Sequence, residues 1–185
     1  MPTASTPWIA LLRGVNVGGR RSLPMAELRE LFADAGCEEV RTYIQSGNVV
    51  FAAGEKDRGK LADRLAGAVE GAKGFRPAVM LLTLGELEAA IEGNPFPEAA
   101  AEPRSLHLWF LGADPSGADV DALEALRSPT ERFELHGRVF YLHAPDGIGR
   151  SKLAERVERA LGVEATARNW RTVETLHDLA AEADG

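Results

Sequence analysis

Four short polar segments carry residue types that could hold a charged ligand. They are Arg13-Gly14-Val15-Asn16-Val17-Gly18-Gly19, Gln45-Ser46-Gly47-Asn48, Gly147-Ile148-Gly149-Arg150-Ser151-Lys152 and Thr166-Ala167-Arg168-Asn169-Trp170. Glycines such as Gly18 and Gly19 let backbone N–H groups come close to a ligand, and a helix is expected just beyond them. Gly147 and Gly149 stand in the same relation to a helix expected from Ser151. Arg13, Lys152 and Arg168 can supply charge-assisted hydrogen bonds. Asn16, Gln45, Ser46, Asn48 and Asn169 offer neutral donors and acceptors, and Trp170 offers a flat face for a ring or a cation. The chemistry suits a small anionic or phosphorylated molecule. Neither glycine loop is a Walker loop or a dinucleotide fingerprint; Gly147-x-Gly149-x-Ser151-Lys152 is only a fragment of one. The same residues have structural uses: Gly14, Gly18 and Gly19 as a tight turn, Gln45–Asn48 as a hairpin, Asn169 as a helix cap and Trp170 as core.

The remaining reactive side chains point nowhere in particular. Cys37 follows Gly36 at a helix end, where a side chain usually packs back on the helix, and no histidine is near in sequence. His107 falls inside an apolar run, His136 and His143 straddle a hairpin without metal-ligand spacing, and His177 lies on the last helix. None of them lies in the four polar segments, so no general base, no metal and no cofactor is expected, and no catalytic residue is assigned.

Among the elements that hold these loops, Trp8–Arg13 predicts a strand and Met25, Leu28, Leu31, Phe32 and Ala35 a helix. Ser22 is its expected N-cap, with Pro24 in the first turn and Gly36 just past the end. Val40–Gln45 and Asn48–Ala52 predict two strands around Ser46-Gly47. Leu61, Leu65 and Val69 predict a second helix, and Ala78–Leu82 a fourth strand. Thr83 and Glu86 match a capping box for a connecting helix ended by Gly93. The proline-rich stretch from Asn94 to Pro103 is the linker. The order then repeats: strand Leu106–Leu111, a helix through Val120, Leu123 and Leu126, strands Arg132–His136 and Arg138–His143, a helix through Leu153, Val157 and Leu161, a short strand at Val163–Ala167, and a last helix.

The expected fold is therefore α+β: two ferredoxin-like βαββα(β) modules in tandem, at residues 7–84 and 104–183, joined by a connecting helix and linker at 85–103 and closed by a C-terminal helix. In such a module the first two strands are parallel, so the loop after strand one and the hairpin between strands two and three meet at one sheet end. The third and fourth strands meet at the other. Head-to-tail packing would bring all four polar segments to one cleft between the modules. Several strands, such as Trp8-Ile9-Ala10-Leu11-Leu12 and Leu108-Trp109-Phe110-Leu111, are apolar on both faces. Their second faces are expected to be buried, by packing within the chain or in a homodimer.

Composition limits the partners. The chain has 185 residues, a net charge of −7 and a single cysteine. The charge argues against a nucleic-acid-binding face, which depends on phosphate neutralisation. Two alternative readings stand beside the anion site: a nucleic-acid-binding module, because ferredoxin-like sheets can stack bases, and a protein-interaction or homodimerisation domain that uses the second sheet faces. No apolar run is long enough to span a bilayer, and Met1–Thr6 lacks the features of a secretory signal and is expected to be a loose leader. One cysteine permits no intrachain disulfide and fits a reducing compartment such as the cytoplasm.

The run Arg13–Gly19, then Met25-Ala26-Glu27-Leu28, then Arg41-Thr42-Tyr43-Ile44-Gln45-Ser46-Gly47-Asn48-Val49-Val50-Phe51 resembles the family catalogued as domain of unknown function 1697. Asn94-Pro95-Phe96, Ser151-Lys152-Leu153 and Thr166–Val173 match its later landmarks, so the resemblance extends from Trp8 to Leu179. It implies a pair of ferredoxin-like subdomains. It implies no substrate and no catalytic residue.

Overall fold

A computed structural model describes residues 4–185. Of the expected leader, Met1–Thr3 lie outside the described residues, and Thr6 already belongs to the first strand. The chain is α+β. Its elements run β1 (Thr6–Leu12), α1 (Met25–Asp34), β2 (Glu38–Tyr43), β3 (Asn48–Ala53), α2 (Arg58–Lys73), β4 (Val79–Thr83) and α3 (Leu84–Glu92). After two 3-10 turns, Pro97–Ala101 and Pro103–Ser105, come β5 (Leu106–Leu111), α4 (Val120–Leu126), β6 (Arg132–His136), β7 (Val139–His143), α5 (Val157–Leu161), β8 (Ala165–Asn169) and α6 (Trp170–Asp184). Contacts divide the chain into two compact units: residues up to Glu88 together with Thr175–Gly185, and Ala89–Glu174.

Each unit holds one four-stranded sheet in which every neighbouring pair is antiparallel, in the orders β2-β3-β1-β4 and β6-β7-β5-β8. Since β1 and β2 both run against β3, they are parallel to each other. The loop after β1 and the β2–β3 turn therefore share an end of the sheet, and the backbone N–H of Leu12 donates to the Gly47 carbonyl at 2.9 Å. By the same logic β7 and β8 are parallel, because both oppose β5. Their C-terminal ends lie beside the start of β5, where Leu106 faces His143 and His107 faces Asn169.

Alternation of side chains sorts each central strand. In the first unit Trp8, Ala10 and Leu12 join Val49 and Phe51 under Leu28 and Phe32 of α1 and Leu61, Leu65 and Val69 of α2. Phe32 meets Phe51 edge to face at 5.3 Å, and full burial of side chains this large is worth about 1.5–3 kcal/mol each. Gly36 ends α1 with φ +93°, and the Cys37 N–H returns to the Phe32 carbonyl at 3.0 Å, which turns Cys37 into the core. In the second unit Trp109 and Leu111 pack with Phe140, Leu142, Leu123, Leu153, Val157 and Leu161. The opposite faces are buried too: Ile9 and Leu11 are 0% exposed and Val50 1%, while Leu108 is 0% and Phe110 2%. Part of that second face in β7 is Tyr141, whose hydroxyl donates to the Ala90 carbonyl of α3 at 2.6 Å.

Three local expectations need correction. Ser22 does not cap α1; Pro24 occupies the cap position in extended conformation, and no side chain caps the helix there. The helix expected from Ser151 is broken. Ile148–Arg150 and Ala154–Arg156 are 3-10 turns, and α5 itself covers only Val157–Leu161. The Ser151 hydroxyl oxygen accepts from the Ala154 N–H at 3.0 Å, a local bond that closes a separate turn. The β2–β3 connection takes in Ile44 and Gln45, because Ile44 has φ +49° and leaves the strand.

Candidate anion site

In the first unit the polar tips meet, but their amides are used by the fold. Asn16, at φ +54°, donates through Nδ2 to the carbonyls of Leu23 (2.8 Å) and Gln45 (2.7 Å), and its Oδ1 accepts from the Leu23 N–H at 2.7 Å. One side chain thus ties the loop to the hairpin. Asn48 is fully buried and its Nδ2 donates to the Tyr43 carbonyl at 3.1 Å. Gly47 has to be glycine: φ is +77°, and a Cβ would stand 2.8 Å from both Leu12 and Val15 side chains. Gly18 and Gly19 form the exposed tip of a turn in which the Arg20 N–H donates to the Val17 carbonyl at 3.0 Å. Gln45 and Ser46 are exposed, and Arg13 is half-buried.

The candidates of the second unit divide in the same way. Arg168 is 8% exposed and donates to Thr166 Oγ1 (2.7 Å) and the Ala167 carbonyl (2.8 Å). Burial pulls its pKa down to about 10, which still leaves it charged at neutral pH. Asn169 Oδ1 accepts from the Thr172 N–H at 3.0 Å and caps the N-terminus of α6. Trp170 is buried, and its indole N–H donates to Glu174 at 2.8 Å. Lys152 is exposed and lines a depression of about 370 Å³ together with Ser128, Glu131, Asp146, Gly147 and Arg150.

A neighbouring depression of about 330 Å³ lies at the shared end of β7 and β8, between the Pro103–Ser105 turn, the loop after β7 and the first turn of α6. Arg104, Ser105, Ala144, Gly147 and Arg171 line it, with Glu102. The Ala144 N–H donates to the Ser105 carbonyl at 2.8 Å, which joins the two segments that form its floor. Gly147, at φ +103°, turns the loop between the two depressions. Arg104, Arg150 and Arg171 were not among the sequence candidates. Arg171 carried a usable signal, since a basic residue two places after the cap Asn169 must fall in the first turn of a helix. Arg104 carried none, because only the fold brings it to Gly147.

The other reactive groups are quiet. Burial pushes the Cys37 thiol up to about 11, so it is a poor nucleophile at neutral pH. Among the described residues no three His, Cys, Asp or Glu side chains are grouped to hold a metal ion, and no helix is long and apolar enough to cross a membrane.

A solved structure of a conserved bacterial protein from Streptococcus pneumoniae is similar to this chain, with a TM-score of 0.71 and 25% identity, covering 96% of this chain and 99% of that one. A search of curated proteins returns no match. The sequence profile described as protein of unknown function (DUF1697) matches residues 5–141. The motifs from Arg13 to Phe51 and from Asn94 to Phe96 fall inside that match, and the chain belongs to the DUF1697 family.

Proposed function

We propose that the second unit binds a small anion, such as a phosphate group, in the depression lined by Arg104, Ser105, Gly147 and Arg171. One observation carries this reading: two arginines far apart in the sequence line one hollow beside the first turn of a fifteen-residue helix. A helix N-terminus carries roughly half a positive charge, and its free N–H groups favour anions. Against these stands only one acidic lining residue, Glu102. On a chain of net charge −7, such a hollow is a local exception to the overall field. The adjoining depression balances Lys152 and Arg150 against Glu131 and Asp146, so the excess of basic residues is confined to the hollow of Arg104 and Arg171.

We read the two sheets as ferredoxin-like halves of a tandem repeat, a reading supported by their equivalent strand orders. The homodimer alternative loses its main argument, because the second apolar faces are already buried in a single chain. A reducing compartment such as the cytoplasm accords with one buried, unpaired cysteine.

The test is thermal unfolding of wild type, Arg104→Ala and Arg171→Ala with sodium phosphate, sulfate and, at matched ionic strength, sodium chloride. Phosphate should raise the wild-type midpoint by an amount that grows with the logarithm of 1 + [phosphate]/Kd, and each variant should lose most of that rise. An equal rise in all three proteins, or none with any anion in the wild type, would sink the proposal.

A further inference from the structure

We infer that the anion is carried on a hydroxylated body, so that the ligand class is a sugar or polyol phosphate whose hydroxyls bind at Glu131. This rests on the anion reading above and extends it to the second depression. The two hollows adjoin, since Ala144 and Gly147 line both. A molecule larger than phosphate held at Arg104 and Arg171 has the second hollow as its neighbouring space. What distinguishes that hollow is a buried carboxylate. Glu131 is 4% exposed, yet it lines the depression.

The Glu131 carboxylate is under-used. Its Oε1 accepts from the Ser128 N–H at 2.8 Å, the one hydrogen bond that the carboxylate makes among the described residues. The nearby Arg127 guanidinium donates to the Glu131 backbone carbonyl at 2.9 Å and forms its ion pair with Glu124 instead. An ionised carboxylate has about four lone-pair sites and gains most from donors when it is shielded from water. A ligand hydroxyl supplies such a donor without a second anionic group. Lys152 and Arg150, on the same wall system, can donate to hydroxyl oxygens, and Leu126 gives an apolar patch for a C–H face. Carboxylate acceptor, cationic donors and a small apolar wall together match a polyol better than a bare anion. A nucleobase would find no exposed aromatic among the residues that line either hollow.

Isothermal titration of wild type with inorganic phosphate, methyl phosphate, glycerol 3-phosphate, ribose 5-phosphate and glucose 6-phosphate tests this. At least one hydroxylated ester should bind about tenfold tighter than methyl phosphate, the gain of one good hydrogen bond to a charged group. Glu131→Gln should abolish that gain while leaving methyl phosphate affinity unchanged. Equal affinity for hydroxylated and plain esters in the wild type overturns the inference and leaves the anion site standing, whatever the variant does. Retention of the preference in Glu131→Gln overturns it also. If no phosphate compound binds, the anion reading fails and this inference fails with it.

Discussion

Asn16 shows how a binding-type residue can be spent on architecture. Its amide satisfies two carbonyls and one N–H, joining the segment after β1 to the β2–β3 turn. It does so from the left-handed region, which asparagine tolerates better than other residues with a Cβ. Asn16→Ala removes three hydrogen bonds and adds backbone strain, and should cost about 2–4 kcal/mol in urea unfolding. Asn16→Asp is the sharper case. It keeps the acceptor for the Leu23 N–H but turns a donor to two carbonyls into a negative oxygen. It should be nearly as destabilising as alanine. An aspartate variant as stable as the wild type would refute this account of the loop.

The elements were legible where hydrophobic period and chain punctuation agree. The apolar runs at Trp8–Leu12 and Leu106–Leu111 gave the central strands, and Gly36 and Gly93 marked helix ends, because each signal is local. The capping box of α3 also holds: the Glu86 N–H donates to Thr83 Oγ1 at 3.2 Å. The segment before α5 was not legible. Leu153, Val157 and Leu161 fill the core at helical spacing, as expected, but the turns between them follow from Ser151 and the flanking glycines. Period alone does not distinguish an α-turn from a 3-10 turn. The candidate site was legible at Gly147, and Lys152 and Arg150 of the adjoining depression share its segment, whereas Arg104 comes from a stretch with no motif of its own and Arg171 follows the polar segment that ends at Trp170. Asn169 has the residue type both of a ligand contact and of a helix cap, and it serves as the cap of α6. Asn169→Ala should therefore cost about 1 kcal/mol of stability. It should also weaken phosphate binding, because fraying of the first turn disperses the N–H groups and Arg171. Asn169→Ser, which can still cap, should retain both. A loss of binding in the serine variant with stability intact would mean that Asn169 touches the ligand directly.

At the scale of the whole molecule, acid acts through two opposed effects. The chain carries a net charge of −7, so lowering the pH toward neutrality of charge relieves self-repulsion and by itself would stabilise the fold. Surface repulsion is screened over about 8 Å at physiological salt, which makes that gain small. His107 works in the other direction and is not screened. Burial pulls its pKa down from 6.5 to about 4, and its Nδ1 has no partner among the described residues. In the unfolded chain the imidazole takes up a proton near pH 6.5, while in the fold it resists until about 4. The unfolded state therefore binds more protons across that window. Stability is complete above about pH 6.5 and falls as the pH drops toward 4, by up to about 1.4 kcal/mol per pH unit. Burial and the charge of Arg132 also lower the pKa of His143, which adds a contribution of the same sign. The urea midpoint should thus decline between pH 6.5 and 5, before most carboxylates titrate. His107→Gln should flatten the decline, leaving the smaller share of His143. A wild-type midpoint that stays level or climbs over this interval would mean that the field of the acidic surface outweighs the buried imidazole.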